Sequence, residues 1–90
     1  MNLYREITGD EIIDNIRILF EEYNITNFDT KKEIADSVVT SSKNATKKII
    51  RANLSRDYGS RDVQEFCNSL CKWYEALGRV NAGQKIYTDL

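Results

Sequence analysis

Val63, Phe66, Cys67, Leu70, Cys71, Tyr74 and Leu77 fall at i, i+3, i+4, i+7, i+8, i+11 and i+14. A strand would divide these side chains between two faces, whereas an α-helix of 3.6 residues per turn lines them up along one side. The spacing therefore predicts a helix from Ser60 to Leu77 with one continuous apolar face. Such a face must be buried against other elements, so the rest of the chain has to supply them. Ser60 is placed to cap this helix and Asp62 to suit its positive end, while Gly78 is placed to close it.

Three further helices are expected upstream. Thr8-Gly9-Asp10-Glu11 carries the spacing of a capping box, followed by a stripe of Ile12, Ile16, Leu19 and Tyr23, flanked by Ile13 and Phe20. Thr30-Lys31-Lys32-Glu33 repeats that start signal ahead of Ile34, Ala35 and Val38. Between these two helices, Ile25 and Phe28 are expected to drop into the core. Thr40-Ser41-Ser42 interrupts the pattern, since three hydroxyl side chains compete for backbone hydrogen bonds. One long bent helix is the competing reading. The next helix, Lys43 to Leu54, would bury Ala45, Ile49 and Ala52, with Ile50 beside them.

Beyond Gly78 the character changes. Arg79-Val80 and Lys85-Ile86-Tyr87 flank Asn81-Ala82-Gly83-Gln84, a connection of hairpin length whose Asn and Gly tolerate positive φ. The expected fold is mainly α: three to four helices with a small C-terminal β-hairpin, winged-helix-like. An all-α four-helix bundle is the alternative. Ninety residues leave room for a single domain, residues 1–90.

The charges are unevenly spread, although they nearly cancel at −1 overall. Residues 1–29 hold 2 basic and 7 acidic side chains, a net of −5. Residues 30–61 hold 8 basic and 3 acidic ones, a net of +5. Residues 62–90 hold 3 and 4, a net of −1. An electrically polar domain is expected, with its middle third attractive to phosphates. No apolar run approaches the roughly 18 residues a membrane span requires. With no secretion-signal pattern at the start, a cytoplasmic chain is the expectation.

Catalysis is not expected. The chain has no histidine, no glycine-rich phosphate loop and no carboxylate pair in a setting that would shift its pKa. Cys67 and Cys71 lie on the apolar face, without an imidazole to activate a thiol, and read as small core residues. Two thiols without histidine are too few ligands for a tetrahedral zinc site. No cofactor or metal is expected.

Thr30-Lys31-Lys32-Glu33-Ile34-Ala35-Asp36-Ser37-Val38 looks like the first helix of a helix-turn-helix. The segment Leu77-Gly78-Arg79-Val80, its polar turn and Lys85-Ile86-Tyr87-Thr88-Asp89-Leu90 resembles the end of winged helix-turn-helix domains. Together the resemblance spans residues 28–90. It departs from that pattern at Val39 and Thr40, where a glycine is usual, and in the helix from 60 to 77 that separates the basic helix from the wing. What the resemblance implies is a small double-stranded DNA-binding protein acting as a transcriptional regulator. Reading a palindromic site would call for a homodimer.

Two helices compete for the groove. The helix 43–54 offers Lys43, Asn44, Lys47, Lys48 and Arg51 opposite its apolar side, types suited to phosphates and base edges. The helix 60–77 offers Arg61, Gln64, Asn68 and Lys72, but Glu65 and Glu75 would face phosphates badly. Charge favours the first. Arg56 and Arg61 are then flanking phosphate contacts, and Arg79 and Lys85 are wing contacts. The rival function is a helical interaction module, an immunity, inhibitor or adaptor protein docking on a protein partner. Residues 60–78 and the following Arg79-Val80-Asn81-Ala82-Gly83 are similar to the last helix of small bacteriocin immunity proteins, which are four-helix bundles. In that reading Asp10, Asp14, Glu21 and Glu22 would meet a basic partner.

Overall fold

Thr8 opens the first helix as its spacing requires: the hydroxyl oxygen accepts from the Glu11 N–H at 3.2 Å. The computed structural model describes residues 4–89. In chain order they form β1 (Tyr4–Ile7), α1 (Gly9–Glu22), α2 (Phe28–Thr40), α3 (Lys43–Leu54), α4 (Ser60–Asn81) and β2 (Ile86–Asp89). The chain is thus mainly helical, with a two-stranded antiparallel sheet. No helix among the described residues is long and apolar enough to cross a membrane.

Successive helices run in opposite directions. Thr30 meets Asn53 and Ser37 meets Thr46, which sets α2 against α3 along their lengths. Lys43 at the start of α3 reaches Glu75 in the second half of α4. Tyr23, just past α1, packs edge-on against Phe66 near the start of α4, with centroids 5.4 Å apart. The closely packed pairs are α1–α4, α3–α4 and α2–α3. That order places acidic α1 and basic α3 at diagonal corners of the bundle and leaves the α1–α2 side the most open.

The core is a single cluster in which Ile12, Ile34, Ile50, Phe66, Cys67 and Leu70 are fully enclosed. Phe66 is central to it, stacked on Phe20 at 5.9 Å. Ile25 is buried as expected, and its N–H donates to the Phe20 carbonyl at 2.8 Å. The turn before it uses Asn24 at φ 55, a conformation asparagine tolerates.

Five expectations need correction. First, α2 begins at Phe28 because Asn27, not Thr30, is its cap: the Asn27 side chain accepts from the Thr30 N–H at 2.9 Å. Phe28 therefore sits in the first helical turn and is 72% exposed instead of entering the core. Second, α3 keeps its expected limits but buries Thr46, Ile50 and Leu54, while Ala52 is exposed and Ala45 and Ile49 are only half-buried. Third, Gly59 and not Ser60 caps α4, with no side-chain bond. Fourth, Gly78 does not close α4, which continues to Asn81; the left-handed residue is Gly83, at φ +85.

The fifth concerns the hairpin. Arg79 and Val80 are helical, so they supply no strand. The segment Ile86–Asp89 pairs instead with the start of the chain, Tyr4 opposite Asp89 and Ile7 opposite Ile86. A two-stranded ribbon is marginal alone, and this one is held by burying Ile7 and half-burying Ile86 against the bundle. Leu90, the last residue of the expected wing, lies outside the described residues.

Candidate nucleic-acid interface

The sequence KNATKKIIRANL of α3 contains four cations and no acidic residue, and α1, α2 and α4 each contain at least three. Ser42 starts it by accepting from the Ala45 N–H at 3.2 Å. Its inward line is Thr46, Ile50 and Leu54, at i, i+4 and i+8. Thr46 can occupy a fully buried position because its hydroxyl donates to the Ser37 carbonyl at 3.1 Å, which replaces the hydrogen bond lost from water.

That inward line lies one to two residues on from the expected Ala45–Ile49–Ala52 line, a turn of about 100° or somewhat more around the axis. The basic side chains turn with it. Lys43 and Lys47 swing toward α4 and are half-buried, whereas Asn44, Lys48 and Arg51 remain exposed. Asn44 lies three and four residues before Lys47 and Lys48, which lie four and three residues before Arg51, so the four form one surface. Among the described residues, Lys47, Lys48, Arg51 and Arg56 form no ion pair.

Lys43 is different. Its Nζ lies 2.6 Å from Glu75 Oε1. The hydrogen bond and charge of the partner raise the Lys43 pKa and hold the Glu75 carboxyl below its ordinary range. Arg79 and Lys47 act on Glu75 in the same direction, so both stand near this carboxylate. Glu75 therefore marks the α4 boundary of the basic surface. Lys43 is correspondingly less available to a phosphate than its sequence position implies.

The flanking contacts do not all gather there. Arg56 follows α3 and lines a polar cleft of about 280 Å³ with Asn27, Thr30 and Asn53. Arg61 is exposed in the first turn of α4, 3.2 Å from Glu65. Arg79 lies in the last turn of α4 and Lys85 in the exposed link to β2. Since residues 79 and 80 belong to a helix, Arg79 and Lys85 are not the two sides of a wing. Sequence reasoning also missed Glu75 as the partner of Lys43; their separation of 32 residues carries no local signal.

The two cysteines differ in access. Cys67 is fully enclosed, and burial pushes its thiol pKa up, although Arg51 and Lys47 pull it down. Cys71 is half-buried. Compared with protein-family models, with curated protein sequences and with solved structures, the chain matches none.

Proposed function

We propose that this protein binds double-stranded DNA through the outer face of α3 and acts as a small transcriptional regulator. The observation that carries the reading is the cation surface of Lys47, Lys48 and Arg51 on a helix without carboxylates, none of them ion-paired among the described residues. Asn44 on the same surface offers both a donor and an acceptor to a base edge or phosphate. Acidic α1 stands at the diagonal corner, so its repulsion of the duplex acts at the greatest distance the bundle allows. Phosphate contacts supply most of the affinity in this reading, because only one polar uncharged side chain lies within the patch.

The test is fluorescence anisotropy on a mixed-sequence duplex at two salt concentrations. With three phosphates neutralised, the slope of log K against log salt is about −2.7, so a fourfold rise in salt weakens binding about fortyfold. Lys47→Glu with Lys48→Glu should abolish binding while leaving the helical circular dichroism intact. Equal binding by that double variant, or no binding by the wild type at low salt, overturns the reading.

A second reading, a helical module docking on a basic protein partner, is favoured by α1. Asp10, Asp14, Glu21 and Glu22 are exposed there, and Ile18 is 47% exposed among them. Its affinity would be insensitive to Lys47 and Lys48 and would fall on replacing Glu21 and Glu22.

A further inference from the structure

We infer that the open α1–α2 side is a self-association surface on which two copies pack around a two-fold axis, α2 against α2 in antiparallel sense. Along α2, Phe28, Lys32, Ala35 and Val39 lie at i, i+4, i+7 and i+11, one outward stripe. Phe28 and Val39 are 72% and 66% exposed, the two most exposed large apolar side chains described. Alongside them two clefts run between the helices. The larger, about 530 Å³, is flanked by Phe28, and the smaller, about 190 Å³, has Ile13, Val38 and Val39 in its walls. The stripe thus carries a protruding aromatic at one end and an apolar hollow at the other.

A two-fold axis crossing α2 near its midpoint exchanges these ends. Phe28 then enters the hollow beside the partner subunit's Val39, and the reciprocal contact forms at the other end. Ala35, the small residue at the centre, lets the two helices approach, and the aliphatic stem of Lys32 covers the apolar stripe. Lys32 is paired with its own Asp36 at 3.0 Å and would also lie beside Asp36 of the partner subunit. The rim favours a second copy over a strongly charged partner. Arg17, Lys31 and Lys32 alternate with Glu21 and Asp36, so a ligand of either single sign meets repulsion, whereas a copy brings the same mixed pattern reversed.

Sedimentation equilibrium of the intact chain without DNA, from about 10 µM to about 1 mM, tests this in the range of a small interface. The wild type should approach the dimer mass at the upper end. Phe28→Asp should weaken dimerisation by about thirtyfold or more, because the two-fold axis makes the aromatic anchor occur at both ends of the interface and one substitution removes both copies. That variant keeps its fold, because an aspartate in the first turn of a helix is favoured by the helix dipole. Val39→Lys at the other end should act alike and serves if Phe28→Asp unfolds. Lys32→Glu should weaken the dimer, and adding Asp36→Lys should restore it. A wild type that stays monomeric up to about 1 mM overturns the inference. So does a dimer indifferent to both Phe28→Asp and Val39→Lys.

Discussion

The Thr46 hydroxyl donates to the Ser37 carbonyl across the α2–α3 pair at 3.1 Å, with both residues buried. The Ser37 hydroxyl is itself occupied, donating to the Ile34 carbonyl at 2.6 Å. This buried polar link fixes the rotation of α3 and hence the direction in which its cations point. Thr46→Val keeps the shape and removes the donor. The Ser37 carbonyl still accepts from the Ser41 N–H, so it is not left unpaired. The expected loss is about 1 kcal/mol, read as a lower urea midpoint with unchanged slope.

Phe66 carries more. It is fully enclosed, stacks on Phe20 with the planes tilted by 26° and meets Tyr23 edge-on, and ties α4 to α1. Phe66→Ala should cost about 3–5 kcal/mol, a large part of the roughly 5–15 kcal/mol that holds a domain folded. For a domain of this size that means a fall in Tm of at least about 12 °C by circular dichroism. A smaller fall would mean that the neighbouring aromatic rings close the cavity.

The four helices were legible because each rests on local signals: the Val63–Leu77 stripe, the Thr8 cap, and the hydroxyl run at Thr40–Ser42 that separates α2 from α3. What was not legible depends on partners distant in the chain. Thr46 reads as polar until Ser37 supplies its acceptor, so the inward line of α3 reads one to two residues early. The strand at Ile86–Asp89 was expected to pair locally, yet its partner lies some eighty positions earlier, at Tyr4–Ile7. Lys43 reads as an open-surface cation because nothing near it in sequence announces Glu75. Phe28 differs for a local reason: two cap candidates, Asn27 and Thr30, stand three residues apart, and the chain uses the first.

The ion pairs set the pH limits of stability. Arg5 holds the Glu11 carboxyl down, chiefly through its hydrogen bond, and Lys43 does the same for Glu75. A depressed carboxyl stabilises the fold above its ordinary value of 4.5, and that stabilisation is lost as pH falls through the lower folded value. Lys43, raised by Glu75, stabilises below 10.5, and its share is lost as pH climbs through the higher folded value. Stability should therefore be flat only between 4.5 and 9.0, because above 9.0 the unfolded Cys67 thiol ionises while burial keeps the folded one protonated, and it should fall on both sides. Lys43→Gln should move the Glu75 titration midpoint up toward 4.5 by carboxyl NMR, incompletely because Arg79 and Lys47 remain.

The two thiols should separate kinetically. Cys67 is enclosed and its pKa is raised by burial, so both access and thiolate fraction are low; Cys71 is half-buried. A disulfide reagent in native buffer should titrate one thiol well before the second. Cys71→Ser should remove the early phase, and the remaining phase should follow global unfolding. An early phase that survives in Cys71→Ser would mean that α4 opens locally around Cys67.

The strand pair is expected to be the least stable part of the fold. It has two strands of four residues and rests on Ile7 and Ile86, the second only half-buried. Hydrogen exchange should find the β1 and β2 amides protected far less than those of α4 around Phe66. Ile86→Ser removes the contact that holds β2 on the bundle, so exchange in both strands should accelerate together, because each supplies the other's hydrogen bonds. Protection in α1 should change little beyond its first turn, where Arg5 of β1 bonds the Glu11 carboxylate, since the Thr8 hydroxyl still caps the helix. Loss of protection throughout α1 would instead make the strands part of the cooperative core.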